Sequence, residues 1–202
     1  MKIAVLGASG MAGSRIVAEA LARGHQVTAI ARKPEGLKDH PALTKVAADV
    51  SAPALADLLR GHDAVVSALH FDVVSEPTLA AALKAAGVSR VLIVGGAGSL
   101  EVAPGVLLID TPEFPDVWKP FARPGVDFLA ALRGEKELEW TFISPSAFFE
   151  PGARTGVFRV GGDQLLVGAD GRSSISVEDY AVALVDELEK PAHVRARMTV
   201  GY

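Results

Sequence analysis

Gly7, Gly10 and Gly13 stand between a run that reads as a strand, Lys2-Ile3-Ala4-Val5-Leu6, and apolar residues at helical spacing, Ile16, Val17, Ala20 and Leu21. Glycines so placed allow a tight turn, bring the backbone close to a ligand and let the helix pack on the strand. The free N–H groups that open the helix attract negative charge. The ligand this suits is the pyrophosphate of a dinucleotide, held by Gly7, Ala8, Ser9, Gly10 and Met11. The spacing is GxxGxxG rather than GxGxxG, so the context carries the reading: strand before, helix closing on Arg23-Gly24, second strand from Gln26. The bland alternative is a glycine turn that holds nothing.

The next chemistry is charge. Gln26 to Ala31 reads as a strand ending in Arg32-Lys33, with no Asp or Glu over residues 26–34. At this place in a dinucleotide fold an acid binds the ribose 2′-hydroxyl and an arginine accommodates a 2′-phosphate. Arg32, with Lys33 as a weaker contact, therefore favours NADP(H) over NAD(H); otherwise they are two surface cations. Asp49 after the third strand either accepts from the adenine amino group, with Val50 on the ring, or belongs to a helix N-cap region before Pro53. Ala68, Leu69 and His70 end the fourth strand and line the cofactor groove, His70 as a wall residue or as a catalytic group. Gly95-Gly96-Ala97-Gly98-Ser99 is a second glycine-rich exit, which lets backbone pass close to a flat ligand at the nicotinamide end. Ser99 there is a hydrogen-bonding partner or a turn former. Phe148 and Phe149, beside Pro151-Gly152, either wall an aromatic pocket or pack beneath a loop.

The elements that position these residues alternate. Strands are expected over 2–6, 26–31, 43–48, 63–69, 89–94 and 140–144, with a terminal one at 198–202. Helices are expected from Gly13 to Arg23 and over 53–60, 76–86 and 126–138, with a last one opened by Ser176 as N-cap and running to Glu189. Residues 100–124 hold five prolines and read as a functional loop or lid. Val157–Val160 and Gln164–Val167, around Gly161-Gly162-Asp163, read as a hairpin outside the main sheet. Alternation with a glycine phosphate turn predicts an α/β, Rossmann-type, doubly wound parallel sheet. We expect one domain over 1–202, with substrate-side loops at about 145–175.

Composition narrows the partners. The 202 residues are 50% hydrophobic, contain no cysteine and carry a formal net charge of −4. A disulfide framework, a thiolate metal site and a cysteine nucleophile are excluded, and no metal site is expected. No basic stripe suits nucleic acid. No stretch nears the roughly 20 apolar residues of a membrane span. The expected partner is a small planar molecule, with no nucleic acid or membrane, for a cytoplasmic monomer or homodimer.

GASGMAGSRI, ARK, VGGAGSL, ISPSAFFEPG, GGDQLL, ISVEDYAVALVDELE and TVGY together resemble the atypical short-chain dehydrogenase/reductases. More narrowly they resemble the NADH-flavin reductase group, related to biliverdin-IXβ/flavin reductase and to NmrA-like proteins. The resemblance spans essentially the whole chain. It implies that Gly7, Ser9, Gly10 and Met11 form the phosphate turn, that Arg32 meets the 2′-phosphate, and that Pro145 with Ser146 borders nicotinamide. It also implies an aromatic residue and a lysine on the substrate side, matched by Trp118 and Lys119, with Trp118 where the group has tyrosine. Phe121 to Gly125 departs from the more helical sequence of the group. The tyrosine four residues before a lysine of typical short-chain dehydrogenases is absent, so Lys119, Ser146 and His70 are the catalytic candidates.

Without that pair, alcohol–carbonyl interconversion lacks its proton donor, worth about 10²–10⁴ in rate. Hydride transfer to a stacked flavin, quinone or tetrapyrrole-like acceptor needs chiefly proximity and orientation. The expected activity is an NADPH-dependent reductase of such an acceptor. The alternative is an NADP(H)-binding redox sensor acting through a protein partner. A sugar epimerase or dehydratase lacks both the pair and a larger substrate domain.

Overall fold

The computed structural model describes residues 1–50 and 54–202. Strand β1 (Lys2–Leu6) runs into α1 (Met11–Ala22), followed by β2 (Gln26–Ala31) and β3 (Leu43–Ala47). After α2 (Leu55–Leu59), β4 (Ala64–Ser67), α3 (Glu76–Ala86) and β5 (Arg90–Val94), the chain leaves the sheet for β6 (Glu101–Ala103) and β7 (Val106–Leu107). It returns through α4 (Lys119–Leu132) to β8 (Glu139–Pro145), then β9 (Phe148–Glu150), β10 (Arg159–Gly161), β11 (Ser174–Ser176), α5 (Val177–Glu189) and β12 (Ala196–Gly201).

The main sheet runs β3-β2-β1-β4-β5-β8-β12-β10. Every neighbouring pair is parallel except β10 with β12. This is the Rossmann-type, doubly wound α/β sheet. Strands of a parallel sheet are buried on both faces, so they are continuous apolar runs. Alternation sends Ile3 and Val5 to the layer of α1 and α5, and Ala4 and Leu6 to that of α2, α3 and α4. Strand order reverses between β1 and β4, which opens a crevice at the carboxyl ends.

Local chemistry sets the helix ends. Ser176 opens α5 by accepting from the Asp179 N–H at 3.0 Å, and Ser75 does the same for α3 from Thr78. The expected helix over 53–60 is α2 where described; its start at Pro53 lies outside the described residues.

Three expectations are corrected. The helix expected over 126–138 begins at Lys119 and ends at Leu132. Pro120 fits the first turn, where its missing N–H has no helical partner, and Pro124 is carried inside the helix at the loss of one backbone bond. Beyond Leu132, Gly134 and a run of charges turn the chain. Secondly, 100–124 is not one irregular loop: it holds the β6–β7 hairpin, short 3₁₀ turns and the start of α4. Thirdly, residues 157–167 form no separate hairpin, because β10 pairs antiparallel with β12 and Gln164 bridges to Glu101. The open edge of β12 supplied the backbone partners that turn-level signals assigned to a local pair.

Candidate functional site

The glycine turn lies in the crevice, and its glycines serve different ends. Gly7 has φ +72°, and a Cβ there would stand 2.5 Å from the Ala68 carbonyl oxygen. A Cβ on Gly13 would run into the Gly7 carbonyl group, its carbon at 2.9 Å. Both are required by the packing of α1 against β1 and β4. Gly10 is exposed, and a Cβ there would meet only the Gly7 oxygen, at 3.2 Å. It starts α1 with no side-chain cap and no acid in the first turn. The positive end of the helix therefore faces outward unneutralised, which fits a pyrophosphate. Ala8 is buried in the core, while Ser9 and Met11 are exposed beside Gly10.

Arg32 and Lys33 stand exposed just past β2, and among the described residues neither pairs with a carboxylate. Asp49 is exposed after β3. Val50 is buried in the core with Leu55 and Leu59, so packing within the protein already takes up the side chain expected on adenine. Ala68 and Leu69 are half-buried at the end of β4 against Gly7.

At the end of β5 the glycines again divide. A Cβ on Gly95 would run into the Phe142 ring and stand 2.9 Å from the Ile143 carbonyl oxygen. Core packing, not a flat ligand, demands that glycine. A Cβ on Gly96 meets nothing within 4 Å, so the backbone there is open. Ser99 is buried, and the Arg197 guanidinium donates to its carbonyl oxygen at 2.6 Å and its hydroxyl at 3.0 Å. Arg197 also donates from Nε to Asp163 at 2.8 Å, so β12 fixes the Gly96–Ser99 exit. Burial pushes the Arg197 guanidinium below its usual range, against the charge of Asp163. No local pattern marked Arg197, whose partners lie 34 and 98 residues away.

From Gly96 a cavity of about 510 Å³ opens between the β5 exit and α4. Its aromatic walls are Phe71, Phe114, Trp118, Phe121 and Phe148. Phe71 reaches into the core against Phe128 and Phe142, with ring centroids 5.1 and 5.9 Å away. It fits there because Gly125 on α4 has no side chain; a Cβ would touch the ring at 2.8 Å. Trp118 and Phe121 tilt together across one turn at 6.1 Å. The sequence reading did not single out Phe71, Phe114 or Phe121, though Phe71 follows His70 at a strand exit and the others lie in the proline-rich stretch. Phe149 is a correction. Strand alternation along β9 turns it away from Phe148 to pack 4.8 Å from the Tyr180 ring.

The catalytic candidates share no geometry. Lys119 pairs with Asp116 at 2.7 Å, and Ser146 is buried, donating to the Val200 carbonyl at 3.0 Å. His70 is exposed at the end of β4. None lines the aromatic cavity. Pro145, buried at the end of β8, pairs in register with Val200. Tyr180 is buried, donates to the Ile143 carbonyl at 2.7 Å, and is pushed far above the ordinary phenol range by that burial. No metal-binding cluster occurs among the described residues, and none of their helices is long and apolar enough to cross a membrane.

Fold and crevice together define a Rossmann-type dinucleotide-binding protein. The family model described as NAD(P)H-binding matches residues 7–191, and the chain belongs to that family. It is 43% identical to the uncharacterised protein YwnB of Bacillus subtilis, over 99% of this chain and 98% of that one. A Bacteroides thetaiotaomicron structure named as a putative epimerase is 44% identical, with TM-score 0.95 over 100% of this chain and 96% of that one. A Streptococcus pneumoniae structure named as a putative NADH-flavin reductase is 38% identical, with TM-score 0.86 over 100% and 99%.

Proposed function

We propose that this protein is an NADPH-dependent reductase passing hydride to a flavin, quinone or similar planar acceptor. The observation that carries the reading is the aromatic cavity that begins at Gly96, where the carboxyl edge of the sheet would present nicotinamide. Cavities of a few hundred Å³ walled by aromatic side chains suit flat apolar ring systems. The flavin-reductase name of the Streptococcus pneumoniae relative agrees with it.

The cofactor supplies the hydride when bound. Gly10 and the start of α1 hold the pyrophosphate, and Arg32, aided by Lys33, holds the 2′-phosphate. The Gly96–Ser99 exit, fixed by Arg197, borders the cavity in which Trp118, Phe121 and Phe148 stack the acceptor. Such a transfer rests on orientation, with the proton taken from water. Tyr180 and Ser146 are committed to backbone carbonyls, which agrees with a site that works without a proton-donor pair. An epimerase reading, after the name of the Bacteroides relative, lacks the acid–base pair that sugar chemistry needs. The protein is proposed to act in the cytoplasm, where reduced nicotinamide nucleotides are kept, as a monomer or homodimer.

The test is NADPH oxidation with riboflavin, FMN and a quinone beside a direct NADPH titration. Binding with turnover supports a reductase. Binding with no turnover on any acceptor sinks it and leaves a nucleotide-sensing protein.

A further inference from the structure

Resting on the reductase reading, we propose that the aromatic cavity selects planar acceptors without an anionic group, so that riboflavin or a quinone is taken in preference to FMN. Among the described residues that line the cavity, Glu113 is the one ionisable side chain, and it is a carboxylate. The cations nearest in sequence are engaged elsewhere. Lys119 pairs with Asp116 at 2.7 Å, and Arg123 with Asp110 at 2.7 Å. The Arg172 guanidinium lies 4.9 Å over the Phe148 ring, outside the lining. Phe71, Phe114, Phe121 and Phe148 supply surface for a ring and no partner for a phosphate, and Trp118 offers one neutral indole N–H. A phosphate entering with the ring would meet the Glu113 charge and lose water with no cation in the lining to offset it. The net charge of −4 adds repulsion of the same sign.

Glu113 is exposed, so its discrimination is modest and screened by salt. We expect riboflavin to bind about five-fold more tightly than FMN at low ionic strength, the size of one exposed like-charge contact. The experiment titrates the fluorescence of each flavin with the full chain, NADP⁺ present, at low and high salt, for the native protein, Glu113→Gln and Arg172→Gln. High salt and Glu113→Gln should each narrow the ratio, the latter by strengthening FMN binding. FMN binding as tightly as riboflavin, or a ratio that neither salt nor Glu113→Gln moves, overturns the proposal. So does FMN binding weakened by Arg172→Gln, which would make Arg172 a phosphate contact, and so does failure of both flavins to bind. The reductase reading fails separately, if flavins bind and no acceptor oxidises NADPH. It survives alone if FMN is reduced at a lower KM than riboflavin.

Discussion

At the residue scale, Gly13 and Gly10 of the phosphate turn respond to different forces, and replacing each by alanine separates them. Gly13→Ala places a methyl into the Gly7 carbonyl and should destabilise the fold by about 1–3 kcal/mol, as overpacking does, which thermal unfolding reads. Gly10→Ala meets only one atom at 3.2 Å. It should leave the unfolding midpoint nearly unmoved while weakening NADPH binding. Equal loss of binding and stability in Gly10→Ala would mean that Gly10 serves packing alone. Arg32 gives a second test. Arg32→Asp should raise the NADPH dissociation constant by about 10–100-fold, the range of a lost charge-assisted bond, and change the NADH value far less. A parallel change in both would make Arg32 an ordinary surface cation.

At the element scale, the exit of β5 joins packing to the site. A Cβ on Gly95 would press on the Phe142 ring, which contacts Phe71 of the cavity wall. Gly95→Ala should therefore cost about 1–3 kcal/mol in denaturant unfolding and also raise the acceptor KM. A normal KM in a destabilised protein would show that the wall does not follow the core. The sequence made this exit legible as glycine-rich, but not which glycine answers to the core and which stays open. The distinction rests on Phe142, 47 positions away and on the neighbouring strand, placed there by the register of β5 with β8. The start of α4 was hidden for another reason. Its prolines at 120 and 124 are local breakers, and burial of Phe128, Leu129 and Leu132 outweighed the one backbone bond they forfeit.

At the scale of the whole molecule, carboxylates bind the segment after β9 to the helices beneath. Asp179 is buried and accepts from the Thr155 and Gly156 N–H groups, each at 2.8 Å. Burial acts to raise its pKa, and these bonds with those from the Thr155 and Tyr202 hydroxyls hold it below the usual range. The Arg154 guanidinium, 2.8 Å from Glu19, holds that carboxyl low as well. Groups with a depressed folded pKa add stability above their unfolded value and lose it as pH falls through the folded one. Stability should thus be level near neutrality and decline once pH drops below the ordinary carboxylate range. Asp179→Asn should flatten that decline and lower stability at pH 7, as chemical denaturation across pH would record. An unchanged acid profile would remove Asp179 from the account.

The alternation of strands and helices, the glycine turn and the basic end of β2 were legible in the linear chain. Each is written in short contiguous spans, where periodicity, turn chemistry and charge act locally. That β10 closes the sheet edge, that Phe149 faces Tyr180 rather than the cavity, and that Arg197 holds Ser99 emerge from the packed fold. Those depend on which distant strand offers free backbone groups, on which face a strand residue takes, and on which buried cation finds a carbonyl, and no local pattern carries that information.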